Sequence, residues 1–550
     1  MRILLRVREQ LEAELPLRLL FEAPTLAEFA AAVELALGES RGLRAEPIKP
    51  VPRGVQPPVS LIQEGWLFRE WWEEVHSVAR RSFHTAATFR LAGPLDQDIL
   101  ARALAEIVQR HEVLRSTFPP TGGLLSQKKL YPLFVKIFGM KGVQKKLYQL
   151  DGMVSEAARP KFLGGPRVVI KPHVEVPLRV EDLSAAGESE REAEVLRLLA
   201  GESERPFDYA AGPLLRAAVL KLAPEEHVVS VVLHHLVSDG WSMQLFTREL
   251  FELYRAFASG TVPRLPELHV QYGDYADWQR RWFRGETLRA VAAFWKEQFE
   301  GVGLFPELTL PFARKAPPAS DFQQRVDVQS LMLPRELSGS LRELGHRAGV
   351  TRYMLFLAAL GTLLHRYTGR EKIGVFSPLA NRSRPETQNL IGWFANIHVL
   401  AADCSGDPRF SELLKRVRGL VLSVHAHQEV PYVLLVKTVL PLLKGYETPK
   451  KIFEAPHVFF DYVVRRRGSQ RVAGLNVTAL HLPPRSTEAG VEVKVIEEDE
   501  DLTVTARYST DRYEPADIRR MLARFRALLE AAAADPGRPI GALLPPATDG

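Results

Sequence analysis

The sequence predicts a mixed α/β (α+β) protein with two large lobes and a small helical fragment at its N-terminus. The chain has 550 residues, whereas one domain usually holds about 100–200 residues. Strand-like runs and amphipathic helix patterns alternate along most of it, which is typical of sheets covered by helices. An apolar share of 46% and a charged share of 25% are those of a globular protein with a large core.

The first 38 residues are predicted to form two short helices. Residues 3–15 place apolar side chains on one helical face, and Thr25 with Glu28 has the spacing of a capping box before a second helix over 26–37. So short a piece cannot bury a core alone. Proline and glycine then crowd residues 39–56, which predicts a linker before the globular body.

The globular body contains several segments with clear periodicity. The Val-rich run 228–233 predicts a buried strand, and residues 242–257 predict a helix soon after it. Further strands are predicted at 86–91, 372–376 and 502–508, and helices at 96–109, 335–347, 351–367 and 515–532. No stretch reaches the about 20 apolar residues of a membrane span, and no signal-peptide pattern opens the chain. We therefore expect a cytoplasmic protein that does not enter a membrane.

The basic charge of the chain comes from one segment. Residues 124–161 hold eight Lys or Arg and two Asp or Glu, which equals the whole formal net charge of +6. A charge so localised does not indicate a nucleic-acid-binding fold. The segment is predicted to be an insertion, and either a partner-binding arm or a solvated insert fits it.

Cys404 is the single cysteine, so no disulfide framework or cysteine-based metal site can form within the chain. No basic partner lies beside it in the sequence. We therefore interpret Cys404 as a packing residue and not as a nucleophile. A second candidate, His111, is expected to pack with Glu112 and Arg115 and not to act in catalysis.

The strongest chemical signal is the segment from His234 to Gly240, His-His-Leu-Val-Ser-Asp-Gly, at the end of a predicted strand. Neighbouring strand residues point to opposite faces, so one histidine can face a channel while the other faces the core. Histidine can accept a proton at neutral pH, Asp239 can fix the loop through an ion pair, and Gly240 lets a backbone N–H approach a reacting atom. Acyl transfer to an amine needs these functions.

Two other interpretations of this segment remain open from the pattern alone. His234 and His235 can be a buried structural pair, or they can bind a metal together with Asp239. Opposite side-chain directions and the lack of a further ligand cluster disfavour the metal. We therefore predict no metal and no cofactor bound by the chain itself.

Seven motifs in order make residues 57–545 resemble the condensation domains of nonribosomal peptide synthetases. The resemblance rests on the segments 60–66 (SLIQEGW), 110–118 (RHEVLRSTF), 234–242 (HHLVSDGWS), 272–278 (YGDYADW), 380–385 (ANRSRP), 391–396 (IGWFAN) and 427–432 (HQEVPY). Departures include the insertion at 124–161 and the residues Glu429 and Tyr432, where the family usually has Asp and Phe.

The resemblance implies a specific architecture and mechanism. It implies two lobes similar to chloramphenicol acetyltransferase, spanning 57–262 and 263–545 and arranged in a V around a tunnel. The tunnel would admit the phosphopantetheine arms of donor and acceptor carrier proteins. His235 would act as base or positioning group, Asp239 would pair with Arg382, and Gly240 would offer its N–H. The supporting residues would be His234, Arg115, Arg382, Trp241, Ser242 and Asn396.

Residues 1–38 resemble the second half of a carrier protein, without the family's pantetheine-bearing Ser. The resemblance also implies an adjacent adenylation domain and a monomeric chain. The alternative function is a degenerate module of the same fold that binds carrier proteins without chemistry. The insertion and the missing Ser favour that alternative, whereas His235, Asp239 and Gly240 oppose it.

Overall fold

A computed structural model of the chain describes residues 46–67, 83–119, 167–314, 325–439, 457–465, 468–481 and 490–544, and scattered positions among residues 3–33. The predicted insertion at 124–161 lies outside the described residues. The helical fragment at 1–38 is described only at isolated positions, so its resemblance to a carrier protein stays a prediction.

The described residues alternate between strands and helices, as the sequence predicts. In the first half these are β1 (His84–Ala92), α1 (Gln97–Arg110), β2 (Ser116–Thr117), β3 (Val169–Ile170), β4 (Leu178–Asp182), α2 (Glu188–Glu204), β5 (Leu215–Ala223), β6 (Glu226–His234), α3 (Gly240–Ala258), α4 (Tyr272–Trp282) and α5 (Gly285–Gln298). In the second half they are β7 (Val326–Met332), α6 (Arg335–Ala348), α7 (Arg352–Thr368), β8 (Lys372–Leu379), β9 (Asn396–Asp403), α8 (Phe410–Ala426), α9 (Tyr432–Thr438), β10 (Val458–Arg465), β11 (Gln470–Val472), β12 (Leu475–Ala479), β13 (Val491–Glu498), β14 (Asp501–Ser509), α10 (Pro515–Ala534) and α11 (Ile540–Leu543).

Local sequence explains where the principal helices begin and end. Asp96 caps α1 by accepting hydrogen bonds from the N–H groups of Asp98 and Ile99, both at 3.0 Å. Thr351 caps α7 in the same way, and Gly369 ends that helix with a left-handed φ of 67°. The predicted helices at 96–109 and 351–367 are therefore confirmed to within one or two residues.

Two six-stranded sheets form the centres of the two lobes. The first has the strand order β11-β12-β1-β6-β5-β4, and the second has the order β7-β14-β13-β10-β8-β9. Each sheet is mixed: β4 runs parallel to β5 in the first, and β10 runs parallel to β13 and β8 in the second. A separate hydrophobic core of buried side chains accompanies each sheet.

The second half of the chain returns to complete the first sheet. Strand β12 pairs with β1 in antiparallel register, with Leu91 opposite Val477. Val472, Leu475 and Val477 are buried in the first core. The predicted assignment of all of 263–545 to the second lobe needs this correction, because 470–479 belong structurally to the first lobe.

Residues 46–56, predicted as part of a free linker, are docked on the body, and we call them the docked strap. The Arg53 guanidinium donates hydrogen bonds of 2.8 and 2.9 Å to the Asp274 carboxylate. The Trp278 indole N–H donates to the carbonyl of Glu46 at 2.9 Å. This part of the predicted linker is therefore fixed by specific contacts and does not act as a free spacer.

Two further predictions, on membrane spans and on the role of Cys404, can be compared with the structure. Within the described ranges no single helix is long and apolar enough to cross a membrane, although α6 and α7 pass that test as a pair bent by 102°. Cys404 is buried, and burial raises the pKa of its thiol to about 12, which opposes a nucleophilic role.

Candidate active site

The segment from His234 to Gly240 forms a tight connection between β6 and α3. His234 is the last residue of the strand, and His235–Val237 form one turn of 3₁₀ helix. Asp239 is the N-cap of α3, and its Oδ1 accepts the Ser242 N–H at 2.7 Å. The strand end and the capped helix thus fix both sides of the segment that carries the two histidines.

His235 is held by its own loop and by the first residues before β1. Its backbone N–H donates to the Phe83 carbonyl at 3.0 Å. Its Nδ1 lies 3.1 Å from the Ser238 carbonyl oxygen. A carbonyl oxygen can only accept, so Nδ1 carries the hydrogen and Nε2 is the acceptor nitrogen of the neutral ring. The side chain is only partly buried, unlike that of its neighbour.

His234 is sealed in the first core with its hydrogen-bonding atoms occupied. Its Nδ1 accepts the Leu236 N–H at 3.0 Å, and its Nε2 lies 3.2 Å from the Tyr209 hydroxyl. Burial, together with the nearby His84, holds the pKa of His234 well below its ordinary value. His234 therefore stays neutral and shapes the turn that presents His235.

Asp239 and Arg382 form a buried ion pair between the lobes. Arg382 Nη2 lies 3.2 Å from Asp239 Oδ1, and both side chains are almost fully buried. Burial is the largest influence on the pKa of Asp239 and raises it, but the Arg382 charge and hydrogen bonds from Ser242 and Ala395 together lower it below the ordinary value. The ion pair predicted for these two residues is therefore present.

The same carboxylate anchors the loop of the motif at 391–396. Asp239 Oδ2 accepts the N–H groups of Phe394 and Ala395, both at 2.9 Å. Ser242 Oγ donates to the Gly392 carbonyl at 2.7 Å and lies 3.0 Å from the Gly392 N–H. Arg382 Nη2 also donates to Ser242 Oγ at 2.8 Å. The capping residues of α3 thus fix a loop that precedes the second lobe's strand β9.

Gly240 is exposed and lies in the first turn of α3. A Cβ at this position would have no neighbouring atom within 4 Å. The fold itself therefore leaves room for a side chain at residue 240, and the absence of one keeps open space beside the loop that holds His235.

Trp241 and Asn396, two further residues with predicted supporting roles, donate hydrogen bonds to backbone carbonyls. Trp241 Nε1 donates to the Gln388 carbonyl at 3.1 Å. Asn396 is buried, and its Nδ2 donates to the carbonyls of Gln428 and Val430 at 3.0 and 2.5 Å. Trp241 ties its motif to the backbone at Gln388, and Asn396 ties its motif to the one at 427–432; neither contributes a proton-transfer group.

Arg115 and His111 differ from expectation in their partners. Arg115 donates to backbone carbonyls, with Nε bound to Val108 at 3.2 Å and Nη1 to Lys171 at 2.5 Å. His111 Nε2 lies 3.0 Å from Glu249 Oε2, a partner that was not predicted. Because 138 residues separate the two, no local sequence pattern indicates this contact.

Residues of the first motif (60–66) and the fourth motif (272–278) contact the histidine loop and the loop at 391–396. Gln63 Nε2 donates to the Leu236 carbonyl at 2.7 Å. Ser60 Oγ lies 2.9 Å from the Tyr272 hydroxyl, which also donates to the Trp393 carbonyl at 2.7 Å. Gly392 is required here, because a Cβ would overlap the Tyr272 ring. The first motif thus contacts the loop that holds the histidines, and the fourth motif contacts the first motif and the loop at 391–396.

Phe83 contacts the candidate site but was not predicted from the sequence. It belongs to no motif, yet its ring lies 4.2 Å from that of His235, centroid to centroid, and its carbonyl binds the same residue. The only local signal was its position just before a predicted strand.

A cavity of about 560 Å³ opens elsewhere in the first lobe, lined by residues that include Arg115, Thr117, Lys171 and Glu175 and not by His235. Among the side chains that the structure describes, no group of three or more His, Cys, Asp or Glu could hold a metal ion.

Fold and site together define a two-lobed α/β domain with a partly buried histidine at the contact between the lobes. The Condensation domain family model matches residues 156–549. The chain belongs to the condensation-domain family.

Curated relatives are peptide synthetases. The chain is 34% identical over 542 residues to one of the linear gramicidin synthase proteins of Brevibacillus parabrevis, covering 98% of this chain and 6% of that protein. It is 31% identical over 494 residues to phosphinothricin tripeptide synthetase PhsC of Streptomyces viridochromogenes, covering 88% of this chain and 40% of that protein. The chain spans only 6% to 10% of the length of the three linear gramicidin synthase proteins that it matches.

Solved structures share the fold. The first condensation domain of the calcium-dependent antibiotic synthetase, in complex with a substrate analogue, aligns with a TM-score of 0.64 at 20% identity, over 89% of this chain and 99% of that chain. The X-domain in complex with OxyB from teicoplanin biosynthesis aligns with a TM-score of 0.70 at 24% identity, over 92% and 99% of the two chains. The predicted mixed α/β fold with two chloramphenicol-acetyltransferase-like lobes is therefore confirmed.

Proposed function

We propose that this domain joins an acyl or aminoacyl group, carried as a thioester on a donor carrier protein, to the amine of an aminoacyl group on an acceptor carrier protein. The amine nitrogen attacks the thioester carbonyl carbon. A C–N bond forms, the C–S bond breaks, and the proton lost by the amine ends on the leaving sulfur. The partly buried His235 side chain, with Nε2 as the acceptor nitrogen of its neutral ring, is the observation that carries this proposal.

His235 would receive the amine proton on Nε2 and return it to the sulfur. The hydrogen bond from Nδ1 to the Ser238 carbonyl supports this role, because it selects the tautomer with an acceptor at Nε2. When Nε2 takes the proton, both ring nitrogens become donors and the same carbonyl stabilises the positive ring. A positioned acid–base group of this kind contributes about 10²–10⁴-fold to a rate.

Asp239 and Gly240 would serve the reaction without transferring protons. The buried Asp239 carboxylate pairs with Arg382 and fixes the first turn of α3. Gly240 would leave room for the thioester and present its N–H toward the developing oxyanion. Donors aimed at such an oxygen are each worth about 10²–10³ in rate.

The substrates would arrive on phosphopantetheine arms of two carrier proteins, through a tunnel between the lobes. We further propose an adjacent adenylation domain, a monomeric chain and a cytoplasmic location. The sequence similarity to multidomain peptide synthetases supports the carrier and adenylation partners. Supporting roles for His234, Arg115, Trp241, Ser242 and Asn396 belong to the same proposal, each as a structural anchor of the site.

Product analysis with two loaded carrier proteins tests this proposal. Mass spectrometry should detect the amide product on the acceptor carrier with the wild-type chain, and none with His235→Ala. His346→Ala is the control, because His346 lies exposed on α6. A wild-type chain that binds both carriers and forms no product would instead support the alternative, a non-catalytic carrier-binding module.

A further inference from the structure

Two aromatic rings lie against the His235 imidazole and a third stacks on one of them, and the three come from separate parts of the chain. Phe83 lies 4.2 Å from His235, and Trp66 stacks on Phe83 at 4.2 Å with an interplanar angle of 21°. Trp393 lies 5.7 Å from His235 and 5.8 Å from Phe83, all between ring centroids. We call Trp66, Phe83 and Trp393 the aromatic bracket.

We infer that Phe83 is a positioning residue for His235, and that Trp393 completes the bracket from the loop before β9. This inference rests on the proposed function, since it concerns the group assigned to proton transfer. Phe83 is the only bracket member that holds His235 through both its backbone and its ring among the contacts described.

A single hydrogen bond does not fix an imidazole ring. The ring turns about two side-chain torsions, and rotation by half a turn about the second exchanges the positions of its nitrogen and carbon atoms. The contact between Nδ1 and the Ser238 carbonyl favours one of these two orientations, but it does not by itself prevent the ring from rotating away. The Phe83 ring against the imidazole restricts this rotation, since offset and tilted aromatic pairs are favourable.

Burial and backbone hydrogen bonds hold the other two members of the aromatic bracket, Trp66 and Trp393, in place. Trp66 is buried, with 6% of its surface exposed, and supports the far side of Phe83. The Trp393 carbonyl accepts the Tyr272 hydroxyl at 2.7 Å. Its neighbours Gly392 and Phe394 are bound by Ser242 and Asp239 at 3.0 and 2.9 Å. The backbone at Trp393 is therefore held by the Asp239 network, which links the ion pair to the loop that carries a ring beside His235.

Phe83→Leu tests this inference, with Phe89→Leu as the matched control. Phe89 lies six residues along in β1 and packs on Phe251 at 5.1 Å, away from His235. We expect Phe83→Leu to lower kcat about 10- to 100-fold with little change in KM, as a displaced catalytic group does. Phe89→Leu should leave kcat near the wild-type value, and Phe83→Tyr should restore most of it.

The second readout is the tautomer of His235, measured by ¹⁵N NMR of histidine-labelled protein and assigned by comparison with His235→Ala. The wild-type chain should give one protonated Nδ1 and one unprotonated Nε2, and Phe83→Leu should give averaged signals. Trp393→Leu should move them in the same direction by less. An unchanged tautomer in Phe83→Leu, or equal kcat losses in the Phe83→Leu and Phe89→Leu variants, would overturn the inference.

The NMR readout needs no substrate, so it separates two failures. A wild-type chain that forms no amide while Phe83→Leu still disturbs the tautomer contradicts the proposed function and leaves the positioning role supported. Normal amide formation with an undisturbed tautomer contradicts the positioning role alone.

Discussion

The neighbouring residues His234 and His235 lie in different environments at the end of strand β6. His234 points into the first core, where burial suppresses its protonation, and its Nδ1 caps the turn that follows. His235 remains partly exposed beside the aromatic bracket. A one-residue shift of the strand would exchange the two faces, so the register of β6 against β1 decides which histidine is accessible.

Removing the Asp239 carboxylate should destabilise the domain as well as slow the reaction. Asp239→Ala leaves the Arg382 charge buried without its partner, which costs about 3–5 kcal/mol. Urea unfolding measures the loss. The double variant Asp239→Ala, Arg382→Met is the control, and it should recover part of that stability because no buried charge remains. Equal stability of wild type and Asp239→Ala would show that the pair contributes nothing.

Buried histidines should make the fold sensitive to mild acid. His398 is fully buried and stacks on Trp295 at 4.4 Å, and burial lowers its pKa to about 4 from 6.5. Between pH 6.5 and 4 the unfolded chain therefore binds the proton that folded His398 refuses. The free energy of unfolding therefore decreases as the pH is lowered through this window. His398 contributes at most about 1.4 kcal/mol of this decrease per pH unit.

The variant His398→Gln checks that contribution. Urea unfolding at pH 7 and pH 5 should show a smaller pH-dependent loss in the variant than in wild type, even if its stability at pH 7 is lower. A loss of the same size in both proteins would remove His398 as a source of the acid sensitivity.

Sequence reasoning found the residues of the site that lie within motifs and missed those that reach it from elsewhere. The Asp239–Arg382 pair was predicted because both belong to recognisable motifs. Glu249 and Phe83 were not, because their partners are set by how α3 and β1 pack against distant segments. Tertiary contacts of this kind leave no local periodicity to read.

At the scale of elements, the docked strap is the clearest departure from expectation. Its proline and glycine content predicts a spacer, but the same composition suits an extended segment lying on a surface. The Val51 N–H and the Arg53 guanidinium both bind Asp274, whose carboxylate is fully buried. Asp274 belongs to the motif at 272–278, so that motif's polar residue holds the segment that precedes the domain.

Arg53→Gln should release the docked strap. The substitution removes a bidentate partner of a buried carboxylate, which costs about 1–3 kcal/mol. Hydrogen exchange measured by mass spectrometry should increase in peptides covering 46–56 and stay unchanged in α7. Arg314→Gln is the matched control, because Arg314 pairs with Glu514 at a similarly exposed site. Unchanged exchange over 46–56 would show that Arg53 does not hold the strap.

Long elements with strong periodicity were predicted well, and short ones were not. Helices α1, α7 and α10 and strand β6 lie within a few residues of expectation. Strands β11 and β12 hold only three and five residues, too few for periodicity to be distinguished from a loop. Their place beside β1 depends on chain topology, which no local pattern encodes.

At the scale of the whole molecule, the two lobes are joined covalently and by shared structure. The strands β11 and β12 from the second half pair with the first sheet, and Tyr272, Leu390 and Phe394 also lie in the first core. The buried Asp239–Arg382 pair adds an electrostatic contact. The lobes are therefore not independent folding units.

A fragment spanning 46–262 should consequently fail to fold. It lacks β11, β12 and α4, so it exposes the edge of β1 and the apolar surface that these elements cover. Near-ultraviolet circular dichroism and urea titration should show neither fixed aromatic packing nor a cooperative transition, whereas the full chain shows both. Cooperative unfolding of the fragment would contradict this view of the first lobe.

The most direct test of the account is the single-turnover rate of amide formation with and without the imidazole of residue 235. Rapid-quench measurements on preloaded carriers should give His235→Ala a rate at least about 100-fold below wild type, with the same thermal unfolding midpoint and carrier affinity. A rate within twofold of wild type would contradict the central claim that this ring moves the proton.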